Sequence, residues 1–478
     1  MLRSRLAWFA LGAAALLRLW LAAAVPLMDT TEARYGEMAR KMVESGDWLV
    51  PLHDYGVPYL AKPPLAFWFS AAGIELFGAG ELGPRILILL ATVAFGALCY
   101  AYVRRWLGHA AAVTALLAMV TSLLFFVAAA AVMTDMLLTI AVVVALGAFW
   151  ERYRGGGAGA EVVLYVALGL GLLIKGPLAV VLALGPVAIF ALLFRRVGRV
   201  WQRFAWLKGG LLALAIAAPW YVAAELRNPG FLNYFIIGEH IQRFLVPGWT
   251  GDLYGRAHDV PHGGIWLFFL LGSLPWGLLA IPWLIRARAT VRARWREQRE
   301  LLAFWLIAAL VPLLLFTAAG NIIFPYALPA LPPAALVLAA LANVEERSLP
   351  WLAAVAAAAM AVVGVAAWAA GPYMESHSQR SVVRAVDTLA SRADAPVYYW
   401  QTRFFSADYY GRGRVREIES EQPLERELAA RHDFTLVVPE GRQESLPAPL
   451  VQRLRPIGAA DSMRLFAPDY AARGAAPP

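Results

Sequence analysis

The chain has a single cysteine, Cys99, and it sits in an apolar run. Disulfide staples and cysteine-based metal sites are therefore excluded. Charge is scarce as well: Asp, Glu, Lys and Arg make up 16% of the 478 residues, while 60% are hydrophobic. With a mean hydropathy of +0.59, the polar surface is too small to cover a water-soluble globule. A membrane protein of many spans is the class that remains. Glycine fingerprints for phosphate are missing too. The GGGAG at 155–159 follows a charged turn rather than a strand, so neither a P-loop nor a dinucleotide fold is written here. No internal repeat is visible.

A formal charge of +9 is present, but it is unevenly spread. From Pro372 onward fourteen Arg face fourteen Asp plus Glu, so the whole excess belongs to the preceding residues. There it collects in short loops between apolar segments. That is the pattern of cytoplasmic loops in a membrane protein rather than of a nucleic-acid surface.

Apolar segments are expected to span the bilayer at Leu6–Pro26, Ile86–Val103, Ala111–Phe126, Met136–Trp150, Val162–Ile174 and Leu178–Phe194. Others follow at Gly210–Ala223, Ile265–Ile285, Leu301–Phe316, Ile322–Leu341 and Trp351–Ala370, about eleven in all. The first reads as a retained helix with its N-terminus in the cytoplasm rather than a cleaved signal peptide. Alternation then gathers Arg104, Arg105, Arg152, Arg154, the cluster from Arg195 to Lys208, the cluster from Arg286 to Arg299, and Arg347 on the cytoplasmic side. The opposite loops are acidic or mixed, which sets the orientation.

The expected architecture is an all-α polytopic membrane unit over 1–372, with a first external loop at 27–82. A small external α/β domain over 373–478 follows. In that tail Ala395–Trp400 and Asp433–Pro439 read as strands, and Ser381–Arg392 and Leu424–His432 as amphipathic helices.

The first loop is dense in charge. MDTTEARYGEMARKMVESGDWLVPLHDYGVPYLAKPPLAFW, from Met28 to Trp68, carries Asp29, Glu32, Arg34, Glu37, Arg40, Lys41, Asp47 and Lys62. Its TEARYGEMARKM portion reads as an amphipathic helix with Met38 and Met42 laid on the bilayer surface. Glu37, Arg40 and Lys41 read as a solvated face or as i,i+3 and i,i+4 pairs.

On the same external side fall the isolated polar residues of the apolar region: Asp135, Lys175, His240, Arg243, Asn321 and Tyr326. Each has a structural reading, as helix cap, snorkelling amine or interfacial anchor. Several of mixed sign at one depth point instead to a shared cavity. His53, His258 and His262 hint at a metal, but no cysteine joins them. No cofactor is required, and a divalent metal stays open. These residue types suit glycosyl transfer from a lipid phosphate: cations hold the leaving phosphate, a carboxylate deprotonates or orients the acceptor, and a groove between spans takes the lipid chain.

The runs TEARYGEMARKMVESGDWLVP and YLAKPPLAFW, then TDMLLT, LLIKGPL, EHIQRF and FPYALP in that order, resemble the aminoarabinose transferase group. That group is a bacterial branch of the protein O-mannosyltransferase superfamily with the GT-C fold. The resemblance covers roughly residues 5–345. It implies an inverting transferase in the bacterial inner membrane, acting at the periplasmic face. The sugar would move from undecaprenyl phosphate to lipid A or another envelope glycan or lipid. It further implies that Arg34, Tyr35, Lys62, Arg243 and Tyr326 surround the donor phosphate and that Asp135 is a cavity carboxylate; Lys175, His240 and Asn321, by their place on the external side, are expected as polar residues of the same cavity.

One departure concerns the acid. The group commonly has Asp-Glu before the Arg-Tyr element, whereas Thr31-Glu32 stands here with Asp29 two residues earlier. Asp29 takes the acidic role, or Glu32 does, or a phosphate acceptor needs no strong base. Ala61 also stands before Lys62 where an acid often occurs. The rival reading is a transporter or flippase of a lipid-linked sugar, which predicts ionisable residues at mid-bilayer and repeated halves.

Overall fold

The computed structural model describes residues 2–246, 249–255, 260–390, 392 and 394–470. The chain starts with α1 (Leu2–Ala24) and then enters the first loop. This loop holds α2 (Thr31–Ser45), a small hairpin of β1 (Leu52–Asp54) and β2 (Val57–Pro58), and α3 (Leu65–Phe77). The helical body follows with α4 (Gly83–Leu107), α5 (His109–Val120), α6 (Leu123–Ala128), α7 (Thr134–Tyr153), α8 (Ala158–Lys175) and α9 (Pro177–Leu193). Next come α10 (Val197–Arg203), α11 (Trp206–Arg227), a π-helical stretch at Asn233–Gln242 and its last turn α12 (Arg243–Leu245). The body closes with α13 (Gly264–Gly272), α14 (Trp276–Arg286), α15 (Arg288–Glu297), α16 (Arg299–Thr317), a 3-10 segment at Phe324–Ala330, α17 (Leu331–Ala342) and α18 (Leu349–Ala369).

Among the described residues, eight helices are long and apolar enough to cross a membrane, and a ninth span results if α13 and α14 are joined across their 91° bend. This is a multi-pass membrane protein. The remaining two of the eleven expected spans are shorter helices. α9 runs 17 residues, and α5 runs 12 before a break at Thr121–Ser122. At 1.5 Å per residue α5 covers only about 18 Å, short of the ~30 Å hydrocarbon core. Leu6, Phe9, Leu16, Leu192, Leu193 and Trp368 stay exposed on the outside of the body, as lipid-facing side chains do. α7 is the most enclosed helix. Its C-terminal end packs Phe149, Trp150 and Tyr153 against Phe190 and Phe304.

The C-terminal part begins with α19 (Gly371–Ser376) and α20 (Arg380–Leu389). It continues through β3 (Val397–Trp400), α21 (Phe405–Gly411), β4 (Val415–Ile418), α22 (Gln422–Ala429) and β5 (Thr435–Pro439). It ends with α23 (Ala448–Val451), β6 (Leu454–Ala460) and β7 (Met463–Pro468). The sheet order is β4-β3-β5-β7-β6, with β4, β3 and β5 parallel and the last two antiparallel. The two strands and two helices expected here are present, and β4, β6 and β7 are additions.

The first loop corrects two expectations. Met38 and Met42 do not rest on the bilayer; they are 0% and 1% exposed, inside a core shared with Tyr35, Phe67 and Tyr409. Glu37, Arg40 and Lys41 are not a solvated face either, being 1%, 6% and 2% exposed. The cause is a partner invisible to local sequence: α21 packs across α2. Gly36 permits that approach, since a Cβ there would lie 2.5 Å from Leu27 Cδ2 and 3.5 Å from the Tyr409 ring.

The charges buried by this docking satisfy one another, as burial requires. Arg40 donates to both Glu37 oxygens at 2.6 and 2.8 Å, to Glu44 at 2.9 Å and to the Tyr55 hydroxyl at 2.9 Å. Lys41 donates to the His53 carbonyl at 3.2 Å. Arg403 pairs with Asp54 at 3.0 Å and with Asp408 at 3.3 Å. Burial pushes the Asp408 carboxyl up to about 6, although Arg403 pulls it the other way.

Candidate active site

Above the ends of the helical body, the first loop, the π-helical stretch and α21 enclose a hollow with about 1210 Å³ of open space including its mouth. Its floor comes from helix ends. α7 starts after extended Met133, which puts Asp135 in the first turn, near the positive end of the helix dipole. α8 ends on Lys175, and Gly176 (φ 66°, ψ −146°) turns the chain into α9, which begins at Pro177. A Cβ at Gly176 would meet the Phe235 ring at 2.7 Å, so this turn and its packing both need glycine. Lys175 Nζ donates to Asp135 at 2.7 Å and lies 4.4 Å from the centre of the Tyr326 ring.

A second ionic group forms the wall. Lys62 Nζ donates to Glu239 at 2.8 Å and to the Ala61 carbonyl at 2.7 Å. Arg243 donates to both Glu239 oxygens at 3.1 Å and pairs with Asp252 at 3.2 Å. Tyr234 adds its hydroxyl to Glu239 at 3.2 Å. Burial pushes the Glu239 carboxyl up, but Lys62 and Arg243 together outweigh it and hold Glu239 below the usual carboxylate range. Glu239 thus stays ionised while its side chain is 1% exposed.

Aromatic rings and Arg34 complete the enclosure. Arg34 donates to the Tyr254 carbonyl at 2.7 Å, and Tyr254 packs against Tyr59 with ring centres 4.6 Å apart and planes tilted by 59°. Asn321 donates from Nδ2 to the carbonyls of Arg243 at 2.9 Å and Val246 at 3.3 Å, tying α12 to the segment before the 3-10 turn. Arg34 Nε and Asn321 Oδ1 are buried without a hydrogen-bond partner. Such orphans in a polar hollow are what a ligand would satisfy.

Of the residues singled out from sequence, Arg34, Tyr35, Lys62, Asp135, Lys175, Arg243, Asn321 and Tyr326 all line this hollow. Three others do not. Asp29 accepts from Ser406 N at 3.1 Å and from the Ser406 hydroxyl, so its carboxylate fastens α21 to the first loop. Glu32 takes two bonds from Arg85, at 2.9 and 2.6 Å, and one from Val132 N at 3.2 Å. Arg85 in turn holds the carbonyls of Ala22, Val25 and Pro26. Both acids serve the framework, and Thr30 and Thr31 face the hollow in their stead. His240 lies behind the wall, its ring nitrogens 2.8 Å from the Phe235 carbonyl and 3.1 Å from the Lys175 carbonyl.

Sequence reading missed Glu239, Asp252, Tyr59, Tyr254 and Phe405. Glu239 had a signal: it stands at i−4 from Arg243, on the same helical face. Among the described residues, no group of three or more His, Cys, Asp or Glu could hold a metal ion. His53 packs against Tyr254, His262 precedes α13, and His258 lies outside the described residues.

Residues 61–222 match the family model described as dolichyl-phosphate-mannose-protein mannosyltransferase. Among curated proteins, an undecaprenyl phosphate-alpha-4-amino-4-deoxy-L-arabinose arabinosyl transferase of Edwardsiella ictaluri is 32% identical over 323 residues, 66% of this chain and 55% of that protein. A protein of the same name from Enterobacter sp. is 29% identical over 405 residues, 78% of this chain and 69% of that protein. The chain thus spans little more than half the length of the first of these relatives. The crystal structure of ArnT from Cupriavidus metallidurans bound to undecaprenyl phosphate superposes with a TM-score of 0.78 at 20% identity, over 98% of both chains. The fold is the polytopic GT-C fold of membrane glycosyltransferases. The chain is thus similar in sequence to these arabinosyl transferases and shares the fold of the ArnT structure.

Proposed function

We propose that this protein is an inverting glycosyltransferase that takes a sugar from an undecaprenyl phosphate donor and transfers it to lipid A or another envelope glycan or lipid. The observation that carries the reading is the convergence of Arg34, Lys62, Lys175 and Arg243 on one hollow at the ends of the helical body. Among the described residues these four cations are countered by Asp135 and Asp252 in the lining and by Glu239 behind Lys62 and Arg243, which leaves an excess of positive charge suited to a phosphate leaving group.

In the reaction, an acceptor oxygen attacks the anomeric carbon from the face opposite the phosphate. The bond from that carbon to the phosphate oxygen breaks, and polyprenyl phosphate leaves with the electron pair. Lys62, Arg243 and Arg34 neutralise the charge that gathers on it, with the Tyr35 and Tyr326 hydroxyls as further donors. Asp135 receives the proton of an acceptor hydroxyl, or orients the acceptor if its nucleophile is already an anionic phosphate oxygen. Its partner Lys175 holds the carboxylate in place through a 2.7 Å hydrogen bond.

We place the transferase unit at residues 1–372 and an extramembrane domain at 373–478. The membrane is the bacterial inner membrane, with the N-terminus in the cytoplasm and the hollow and C-terminal domain in the periplasm. The distribution of Arg and Lys over alternate loops supports that orientation. The test uses purified protein, undecaprenyl-phosphate aminoarabinose or a panel of other undecaprenyl-phosphate sugars, and lipid A. Release of undecaprenyl phosphate with a glycosylated acceptor is expected. Absence of both products across the panel would overturn the reading.

A further inference from the structure

The C-terminal part does more than sit on the helical body. In its sheet, β3 is followed through α21 by β4 on one side and later by β5 on the other, all parallel. The carboxyl ends of β3 and its neighbours therefore form a topological switch point, the place where open α/β sheets bind ligands. The loop that leaves β3 at this point runs from Gln401 to Phe404 and leads into α21. The residue that follows it, Phe405, lines the hollow.

Residues four apart on α21 divide the work. Tyr409 is 0% exposed, in the core shared with α2, and donates its hydroxyl to the Gly80 carbonyl at 2.9 Å. Phe405 is only half-buried and lines the hollow. Its ring lies 5.8 Å from the Arg34 guanidinium, 5.0 Å from that of Arg403 and 5.6 Å from the His53 ring. Burial and the charges of Arg403 and Arg34 push His53 down to about 4, so it stays neutral beside the ring at neutral pH. One side of the phenyl group packs against the core that α2 shares with α21, and the rest lines the hollow between two cations. That remaining aromatic surface is suited to the apolar C–H face of a sugar ring.

The hollow thus has two ends. Asp135, Lys175 and Tyr326 close the end built by the helical body, and Lys62, Arg243 and Arg34 between the ends receive the lipid phosphate. Phe405 closes the end built by the extramembrane part, beside Arg34, where a sugar headgroup enters from water. We propose that Phe405 is a specificity-determining residue that seats the acceptor's sugar, so that the C-terminal part supplies one wall of the acceptor site. The inference rests on the transferase reading above.

The test separates the two by measuring binding apart from turnover. Full-length wild type, F405L and F405W are titrated with a phosphorylated glucosamine disaccharide headgroup and, separately, with undecaprenyl phosphate. Leucine keeps the apolar bulk but has no π-face, and tryptophan restores one. F405L is expected to bind the headgroup about 5- to 10-fold more weakly, with undecaprenyl phosphate unchanged within about twofold. F405W is expected to recover the headgroup affinity. Equal loss for both ligands, or unaltered headgroup binding in F405L, overturns the proposal. If wild type binds both ligands yet transfers no sugar, the transferase reading fails while the headgroup result still decides the role of Phe405.

Discussion

Replacing Glu239 with glutamine tests how the hollow is held ready for an anion. The glutamate sits between Lys62 at 2.8 Å and Arg243 at 3.1 Å, with its side chain 1% exposed. A phosphate bonded to both cations would lie roughly 6 Å from that carboxylate, two hydrogen-bond lengths away. Two unit charges at that separation interact by about 3 kcal/mol at an effective dielectric of about 20. Glutamine keeps the shape and an acceptor oxygen but removes this repulsion. E239Q is therefore expected to bind undecaprenyl phosphate about 10- to 100-fold more tightly, the lower value if the cations relax apart. The same change leaves buried cations less well compensated, at a cost of about 3 kcal/mol or more, so the melting temperature is expected to fall unless the lipid is present. Titration calorimetry in detergent and thermal unfolding with and without undecaprenyl phosphate read both effects. Weaker lipid binding in a variant that still folds would refute the idea that Glu239 and the phosphate compete for Lys62 and Arg243.

Three further outcomes follow from the geometry. R34A and K62A each remove a cation from the hollow and are expected to lower kcat/KM at least about 100-fold, or about 2.7 kcal/mol, in an assay of undecaprenyl phosphate release; wild-type turnover in both would remove them from the donor site. D29N and E32Q are expected to lower the melting temperature while keeping donor affinity, because these acids hold Ser406 and Arg85; an intact fold with abolished chemistry would return one of them to the reaction. Asp408 titrates at about 6 when folded against about 3.9 unfolded, so the folded state holds the extra proton and stability falls as pH rises from about 4 to about 6. D408N removes that loss and is expected to raise stability at pH 7 by up to about 3 kcal/mol, less whatever its contact with Arg403 contributed, with the gain vanishing below about pH 4. A gain independent of pH would contradict the assignment.

Much of the helical body could be read from hydropathy, because lipid-facing and core-facing positions are both apolar and a long run survives either fate. Where the runs failed was in length. The segment from Ala111 to Phe126 is continuous in composition, yet it breaks at Thr121–Ser122, whose hydroxyls turn back onto the Leu117 and Ala118 carbonyls. In the tail, β6 carries Pro456 and Gly458 and shows no alternation, and β4 is only four residues long; neither leaves a pattern of period two.

The hollow was partly legible because isolated ionisable residues in an apolar chain stand out: Asp135, Lys175 and Arg243 were found that way, and Lys62 through the charge-dense first loop. Roles that depend on distant partners were not. Asp29 belongs to Ser406, 377 residues away, and the polar face of α2 looks solvated until α21 covers it. Phe405 offered no signal at all: one phenylalanine in an aromatic-rich chain gains meaning only from the loop that carries it.

The central claim is that residues from four separated segments form one seat for a lipid phosphate. A structure of the protein with undecaprenyl phosphate bound in a lipid nanodisc tests it most directly. Phosphate density is expected within hydrogen-bond distance of Lys62 Nζ and Arg243, with Lys62 drawn away from Glu239. A phosphate seated elsewhere, with the Lys62–Glu239–Arg243 group intact, would contradict the account.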